Sequence, residues 1–392
     1  MHAAKLLLIG LCVALVGKAT AAPIRVGILK GTGAGRYWHT SMHPGANVIA
    51  TLLASPAGAG LNNPVIPPQG FAVRLFGPDS NQCSGSGCGP TAEQRNSFIN
   101  ALDSLDVIVI LNFVELGNTI NSQEARAKLV DFWSKKGVVS LHQSNDNFGT
   151  WSDWLNVGAS RMLSHPPQMR ATLRLDNVNG AGSNGDWKFL NHGLPDSARF
   201  HEEWLTFSRS SAELRAGGYS SDLVQSGNYP PVVVTTNLDE TTYEQPVTSS
   251  QSMGGDHPMS WYRKFSTGGK FFYTAIGHRT ETYDSVYFFR RQLYNAILWA
   301  GGYDITTSVA TQPSIRFSDH ARITLFGSSF SIAVVGHSSH TITLHGLNGR
   351  LIATRRGTAK RGDHSIKDVP SGVYVLKVAT GTNTVSRRVV VP

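Results

Sequence analysis

Leu105-Asp-Val-Ile-Val-Ile-Leu111 and Gly137-Val-Val-Ser-Leu141 are short, nearly continuous apolar runs. A strand with one face in water alternates polar and apolar residues, so runs this uniform require cover on both faces. Between them, residues 121–136 set Ala125, Leu129, Phe132 and Trp133 along one side of a helix. The alternation starts earlier, with strands at 24–29 and 71–76 and a helix at 43–53. Thr91-Ala-Glu-Gln94 has the form of a capping box, opening a helix through Leu102. Strands alternating with helices predict a doubly wound α/β domain on a mostly parallel sheet. Further strands are expected at 169–175, 232–235 and 270–275. A last helix at 285–299 carries Val286, Phe289, Leu293, Ala296 and Ala300 at helical spacing, and Gly301-Gly302 stops it.

Residues 306–313 read as a linker, and the pattern then changes. Short β runs at 321–325, 331–335, 341–344, 373–378 and 386–391 are separated by turns such as Asn348-Gly349 and Ser371-Gly372. They predict a small all-β sandwich over 314–392 with no cluster of catalytic residue types. At the other end, Lys5, the apolar run 6–16 and Ala19-Thr-Ala21 have the order of a secretory signal peptide over residues 1–21. The run falls short of the roughly 20 apolar residues that span a bilayer, and no later stretch reaches them. The expectation is an exported protein that is not transmembrane, with an α/β domain over 22–305.

Export changes how Cys83 and Cys88 read, in Cys-Ser-Gly-Ser-Gly-Cys. In an oxidising compartment a pair this close most simply forms a disulfide, with free thiols as the alternative. No further metal ligand stands near them in sequence. The net charge of +9 is concentrated in the tail, where residues 311–392 hold eleven Lys and Arg against three acids. No aromatic-interleaved basic patch accompanies it, so nucleic acid is not an expected partner.

The chemistry-bearing residues gather at predicted strand ends, where open α/β sheets carry their ligands. Gly31-Thr-Gly-Ala-Gly35 follows the first strand, but its spacing and the lack of an acid about 20 residues on do not fit a dinucleotide site. The loop is followed by Arg36, Tyr37, Trp38 and His39. His142 directly follows the second buried run. His278 closes the 270–276 run, where the alternative is a hydrogen-bonded loop histidine. His201-Glu202-Glu203-Trp204 is acidic and aromatic, or else a solvated helix start. His39, His142, Glu202, Glu203, His257 and His278 offer imidazoles and carboxylates for proton transfer or for a divalent metal. None has the close H-x-x-x-H spacing that would identify a metal site.

These residues resemble a known family, the ThuA-like (trehalose utilisation) proteins, over residues 24–303. The likeness is carried by Tyr37-Trp38-His39, 105–112, 138–142, His165-Pro166, Glu202-Glu203-Trp204 and, above all, 257–278 with Tyr283. That last block reads HP-x-x-W, an aromatic pair, GG-K, then YTA-x-GH. The resemblance implies a flavodoxin-like sheet of the class I glutamine amidotransferase kind, with His142 where the nucleophile would stand and no amidotransferase chemistry. Two positions depart from the family pattern: Lys136-Gly137 replaces Gly-Gly, and Glu202-Glu203-Trp204-Leu205 replaces Asp-Glu-Trp-Tyr. The tail is similar to type IX secretion sorting domains, which implies the secretion machinery as a partner. An ordinary carbohydrate-binding or spacer module is the alternative.

The resulting expectation is a secreted or cell-surface protein acting on a sugar or glycoside derivative, as a hydrolase, lyase or isomerase. His142, His278 and Glu203 are the candidate catalytic or metal-binding residues. Trp38, His39, His257, Trp261 and Tyr283 are the candidate substrate contacts. A non-catalytic carbohydrate-binding protein on the same scaffold is the alternative.

Overall fold

A computed structural model describes residues 22–391 except 34, 63, 68, 84–86, 146–150, 177–183, 217–228, 304–314, 319–320, 327–328, 336–338, 359–360, 368, 371 and 381–382. The expected signal peptide (1–21) and linker (306–313) lie outside the described residues. The first unit begins with β1 (Ile24–Lys30), α1 (Met42–Ala54), β2 (Phe71–Phe76), α2 (Ala92–Ala101), β3 (Val107–Leu111), α3 (Leu116–Thr119), α4 (Gln123–Lys135) and β4 (Gly137–Leu141). It continues through α5 (Ser152–Gly158), β5 (Met162–Ser164), β6 (Met169–Leu175), α6 (Gly185–Leu190), β7 (Ser197–Glu202), β8 (Thr206–Phe207), α7 (Ser211–Ala216) and β9 (Val233–Asp239). β10 (Pro258–Lys264), β11 (Lys270–Thr274), α8 (Thr280–Ser285) and α9 (Tyr287–Ala300) complete it.

Nine of these strands form one sheet in the order β2-β1-β3-β4-β11-β10-β9-β6-β7. The first five are mutually parallel, and each later join is antiparallel. Successive reversals leave seven of the nine strands pointing the same way. Every residue of β3 and β4 is buried, as the uniform apolar runs require. β4 and β11 are both packed by α9 and by α4. Gly137 opens β4 because a Cβ there would stand 2.3 Å from the Ala300 carbonyl oxygen at the end of α9. The Thr91 capping box is present: its hydroxyl accepts from Gln94 N at 3.2 Å, and the Gln94 side chain accepts from Thr91 N at 2.9 Å.

The mixed α/β fold agrees with the sequence reading. β7 and β10, and the short β5 and β8, were not expected as strands. β7 is an edge strand with the polar sequence Ser-Ala-Arg-Phe-His-Glu, and β10 is buried on both faces. Glu202 therefore ends a strand and does not start a helix.

The second unit pairs two antiparallel four-stranded sheets. One is β12 (Ile315–Ser318), β13 (Ala321–Phe326), β14 (Ser329–Val335) and β17 (Arg361–Ile366). The other is β16 (Leu351–Gly357), β15 (His340–Gly346), β18 (Gly372–Thr380) and β19 (Asn383–Val391). Ile332, Val334 and Ile366 from the first sheet share a core with Ile342, Leu344, Leu376 and Val378 from the second. This core is separate from the cluster that fills the α/β unit. Deleting residues 312–392 should therefore leave the α/β unit with its own cooperative unfolding transition in urea, and a broad non-cooperative loss of signal would count against two independent cores.

Candidate functional site

β4 and β11 are parallel neighbours with Leu141 opposite Thr274, so the residues that follow them emerge side by side. His142 comes directly after β4 with φ 50°, a left-handed conformation that is uncommon for a non-glycine residue and costs about 1–3 kcal/mol. It is held there by two bonds: its Nδ1 donates to Ala275 O at 2.8 Å, and Tyr273 Oη donates to His142 O at 2.8 Å. His278 follows β11 after Gly277. Gly277 has φ 125°, and a Cβ there would come 2.6 Å from the Tyr283 hydroxyl, so only glycine fits this turn.

β7 lies four strands from β11 in the sheet, yet its end folds back onto the same turn. The Glu202 carboxylate accepts from Gly277 N (3.3 Å), His278 N (3.1 Å), Thr282 Oγ1 (2.6 Å) and Glu203 N (2.9 Å). Asn112 Nδ2 and Ser41 Oγ hold the Gly277 carbonyl at 2.8 and 3.2 Å. Burial pushes the Glu202 carboxyl upward, against the nearby His142 and these donors.

This scaffold brings His39, His142, His278 and Glu203 together, with one donor atom from each within 4.8 Å of the others. Glu203 Oε1 stands 3.3 Å from His142 Nε2, and Oε2 stands 3.3 Å from His278 Nδ1. His278 Nδ1 is also 3.3 Å from His142 Nε2. The tautomers follow from the surrounding donors. Arg279 donates to Gln168 Oε1 at 2.8 Å, which turns the Gln168 amide nitrogen toward His278 Nε2 at 2.7 Å. Neutral His278 then carries its proton on Nδ1, facing Glu203 and His142. A further proton on His142 Nε2 would face Glu203 in turn. Burial alone would raise the Glu203 carboxyl, but the hydrogen bonds to His142 and His278 outweigh it and hold it well below the usual carboxylate range. The arrangement can keep a proton on either imidazole beside an ionised carboxylate.

His39 faces the edges of both rings, with centroids 4.8 Å from each, and neither of its buried ring nitrogens has a hydrogen-bond partner. Uncompensated buried nitrogens of this kind suit a ligand or a metal. His39, His142 Nε2 and Glu203 fit a divalent metal of the kind that takes imidazole and carboxylate, and the His142–Ala275 bond orients its ring as metal sites require. His278 would join them only with the Gln168 amide turned over.

Exposure rises along the cluster. His142 is closed off, Glu203 is 6% and His278 13% exposed, and His165, 3.6 Å from Glu203, is 39% exposed. The cluster therefore opens to solvent on the side of His165 and His278, with Tyr37 set edge-on to His39 at 5.1 Å. A cleft of about 530 Å³ lined by Arg170, His201, Arg279 and Thr282 includes none of the four cluster residues.

Several expected contacts are absent from this group. His257 is fully buried with both ring nitrogens committed, Nδ1 to Glu240 (2.6 Å) and Nε2 to Leu205 O (2.8 Å). Trp261 is core, donating to Gly158 O at 3.1 Å and packed on Phe207 and Tyr273. Tyr283 is buried under Phe289 and Gly277. Trp38 is half-buried and set edge-on to His43. Sequence reasoning gave no site role to Tyr37, Gln168 or His165, although Tyr37 and His165 stood in the noted motifs Tyr37-Trp38-His39 and His165-Pro166. Cys83 and Cys88 are joined in a disulfide, and His43, forty residues from Cys83 in sequence, lies beside it.

Burial pushes the His39 imidazole well below its usual range, and His142 and His278 add to the effect. Below the unfolded pKa of about 6.5 the unfolded chain binds a proton that the folded chain refuses, so stability falls as pH drops. In chelator-treated protein this one group should contribute up to about 1.4 kcal/mol per pH unit below that point. His39→Asn should flatten the pH dependence of the urea midpoint accordingly, and identical slopes would contradict it.

Residues 84–300 match the family model described as trehalose utilisation, and residues 327–392 match the secretion system C-terminal sorting domain. The sorting domain indicates export with cell-surface attachment and implies contact with the secretion machinery. No helix among the described residues is long and apolar enough to cross a membrane. Among solved structures, a ThuA-like protein from Parabacteroides merdae is 14% identical, over 71% of this chain and 90% of that one, with a TM-score of 0.45. The glutaminase domain of Trypanosoma brucei CTPS with bound acivicin is 10% identical, over 71% and 94%, at 0.34. A β-galactosidase from Halorubrum lacusprofundi is 13% identical, over 68% and 32%, at 0.26. At these scores none carries an argument. The comparison with curated proteins finds no match. The family model spans more than half of the chain, and the chain belongs to the ThuA (trehalose utilisation) family.

Proposed function

We propose that this exported ThuA-family protein acts on a sugar or glycoside derivative through acid–base chemistry at Glu203, His142 and His278. The observation that carries this reading is the convergence of two imidazoles on one buried carboxylate, each 3.3 Å away. A proton held at His278 Nδ1 or His142 Nε2 can be given to a sugar oxygen, and the other group can take one back. Glu203 stabilises whichever ring is charged. His39 closes the inner wall and has ring nitrogens free to bind the ligand. A divalent metal bound by His39, His142 and Glu203 would supply Lewis-acid polarisation of a sugar oxygen.

The scaffold supports the reading. The order β2-β1-β3-β4-β11 supports a flavodoxin-type arrangement 2-1-3-4-5 with β11 as its fifth parallel strand, and such sheets bind ligands beyond the strands' carboxyl ends. The positive φ of His142 after β4 agrees with a nucleophile-elbow turn occupied by an imidazole. The purely carbohydrate-binding alternative loses its main support, because Trp261 and Tyr283 are fully buried and cannot stack on a sugar face.

Activity against a panel of glycosides and oxidised glycosides, with product analysis, tests the reading. His142→Ala and His278→Ala should each lower kcat by about 10²–10⁴-fold with the fold retained, and wild-type-like turnover by the folded double variant would sink it. Elemental analysis of the purified protein separates the metal-assisted form from the proton-only form. The metal-assisted form requires one divalent ion per chain, lost in Glu203→Gln.

A further inference from the structure

Beside the site described above, at the carboxyl end of β1, a second group of side chains has no role in that chemistry. Cys83 is partly exposed, whereas Cys88 is 1% exposed, and the Cys88 carbonyl accepts from Thr32 N at 3.0 Å. His43 Nε2 stands 3.1 Å from Cys83 Sγ and 3.7 Å from Cys88 Sγ. Lys30 Nζ stands 3.3 Å from His43 Nδ1 and 3.4 Å from an Asp79 carboxylate oxygen. A lysine ammonium has only donors, so His43 Nδ1 is the acceptor. The imidazole proton is then on Nε2 and points at the two sulfurs.

We infer that Cys83–Cys88 is an exchange-competent disulfide, attacked at Cys83 by low-molecular-weight thiols, with Cys88 as the stabilised leaving thiolate. The accessible sulfur receives the nucleophile, and the buried one departs. An incoming thiolate forms a bond to Cys83 Sγ while the Cys83–Cys88 bond breaks and its electron pair leaves on Cys88 Sγ. That thiolate lies within reach of the His43 Nε2–H, with the Lys30 charge behind the ring, a setting that lowers a thiol's pKa and speeds its departure. Return attack by Cys88 on Cys83 expels the small thiol and restores the disulfide. Attack by a second small thiolate on its own kind in the mixed disulfide releases Cys83. The sum is two thiols oxidised to one small disulfide and two protein thiols formed.

The same three residues are also a Cys₂His set of the type that binds zinc. The Lys30 ammonium argues against that use. A His43 that ligates through Nε2 must protonate Nδ1, which would then face a cation with no acceptor to receive its hydrogen. Exchange here would also be felt nearby. The Cys88 carbonyl holds the 31–39 segment through Thr32, and Trp38, next to His39, is set edge-on to His43.

The test uses the full chain and millimolar reduced glutathione under native conditions, with acid quenching and intact-mass analysis. A glutathione adduct mapped to Cys83 and reversed on dilution is expected, with the near-ultraviolet circular dichroism of the folded protein retained. His43→Ala and Lys30→Gln should each slow adduct formation about tenfold, equivalent to about 1.4 kcal/mol. Ultraviolet absorbance of the Cys88 thiolate in Cys83→Ser should titrate below the ordinary cysteine pKa of about 8.5. A disulfide untouched until the protein unfolds, adducts on Cys88, or variants reacting at the wild-type rate would overturn the inference. Stoichiometric zinc uptake by the reduced protein would overturn it in favour of a metal site.

Discussion

The Glu202 carboxylate is the contact on which the candidate site depends. It accepts three main-chain N–H groups and the Thr282 hydroxyl, and two of those N–H groups belong to the Gly277–His278 turn. These bonds tie the end of β7 to the end of β11, four strands away in the sheet. Glu203 follows directly, so a bond made by one glutamate fixes where the next one points. A buried carboxylate is tolerable because four hydrogen bonds compensate it, three of them from fully buried donors. The acid that builds the site and the acid that serves it are adjacent in sequence but different in task.

Within the cluster the controlling fact is an excess of acceptors. His142 spends its one neutral-state proton on Ala275, and Glu203 offers only acceptors. His278 supplies the single proton that the neutral rings can share among three atoms at 3.3 Å. The carboxylate sits where these rings can give it hydrogen bonds, and those bonds hold the Glu203 carboxyl below its usual range despite burial.

The parts of the fold legible in the sequence were those dictated by burial. β3 and β4 are buried throughout, α4 and α9 each turn an apolar side inward, and their residues advertise this. β7, β16 and β17 were not legible, because Ser-Ala-Arg-Phe-His-Glu, Leu-Ile-Ala-Thr-Arg-Arg-Gly and Arg-Gly-Asp-His-Ser-Ile are too polar to announce a strand. Their strand state comes from pairing with β6, β15 and β14, which sequence periodicity does not register. For the candidate site, position just past a buried strand pointed to His142 and His278, which the structure brings together. Motif membership was a weaker one. His257 and Trp261 belong to the same block as His278, but they sit at and within β10, a strand antiparallel to β11, so their side chains go to the core and to Glu240. Gln168 and His165 reach the site only through the loop before β6, a proximity that no local pattern encodes.

Burial grades the cluster from inside to outside. His39 and His142 are closed off and Glu203 nearly so, so the inner end is walled by polar atoms shielded from solvent. The accessible side of the cluster is formed by His278 and His165, with Tyr37 as the exposed ring at the rim. The proposed sugar ligand would suit this gradient, since one of its hydroxyl oxygens can face the polar atoms while a C–H face of the ring lies against the Tyr37 edge. A flat or fully apolar ligand would leave the His39 nitrogens without partners, at a cost of about 1–3 kcal/mol for each unsatisfied group. On the proposed reading, the polar inner end would therefore favour a ligand that brings its own hydrogen-bonding oxygen to the His39 nitrogens.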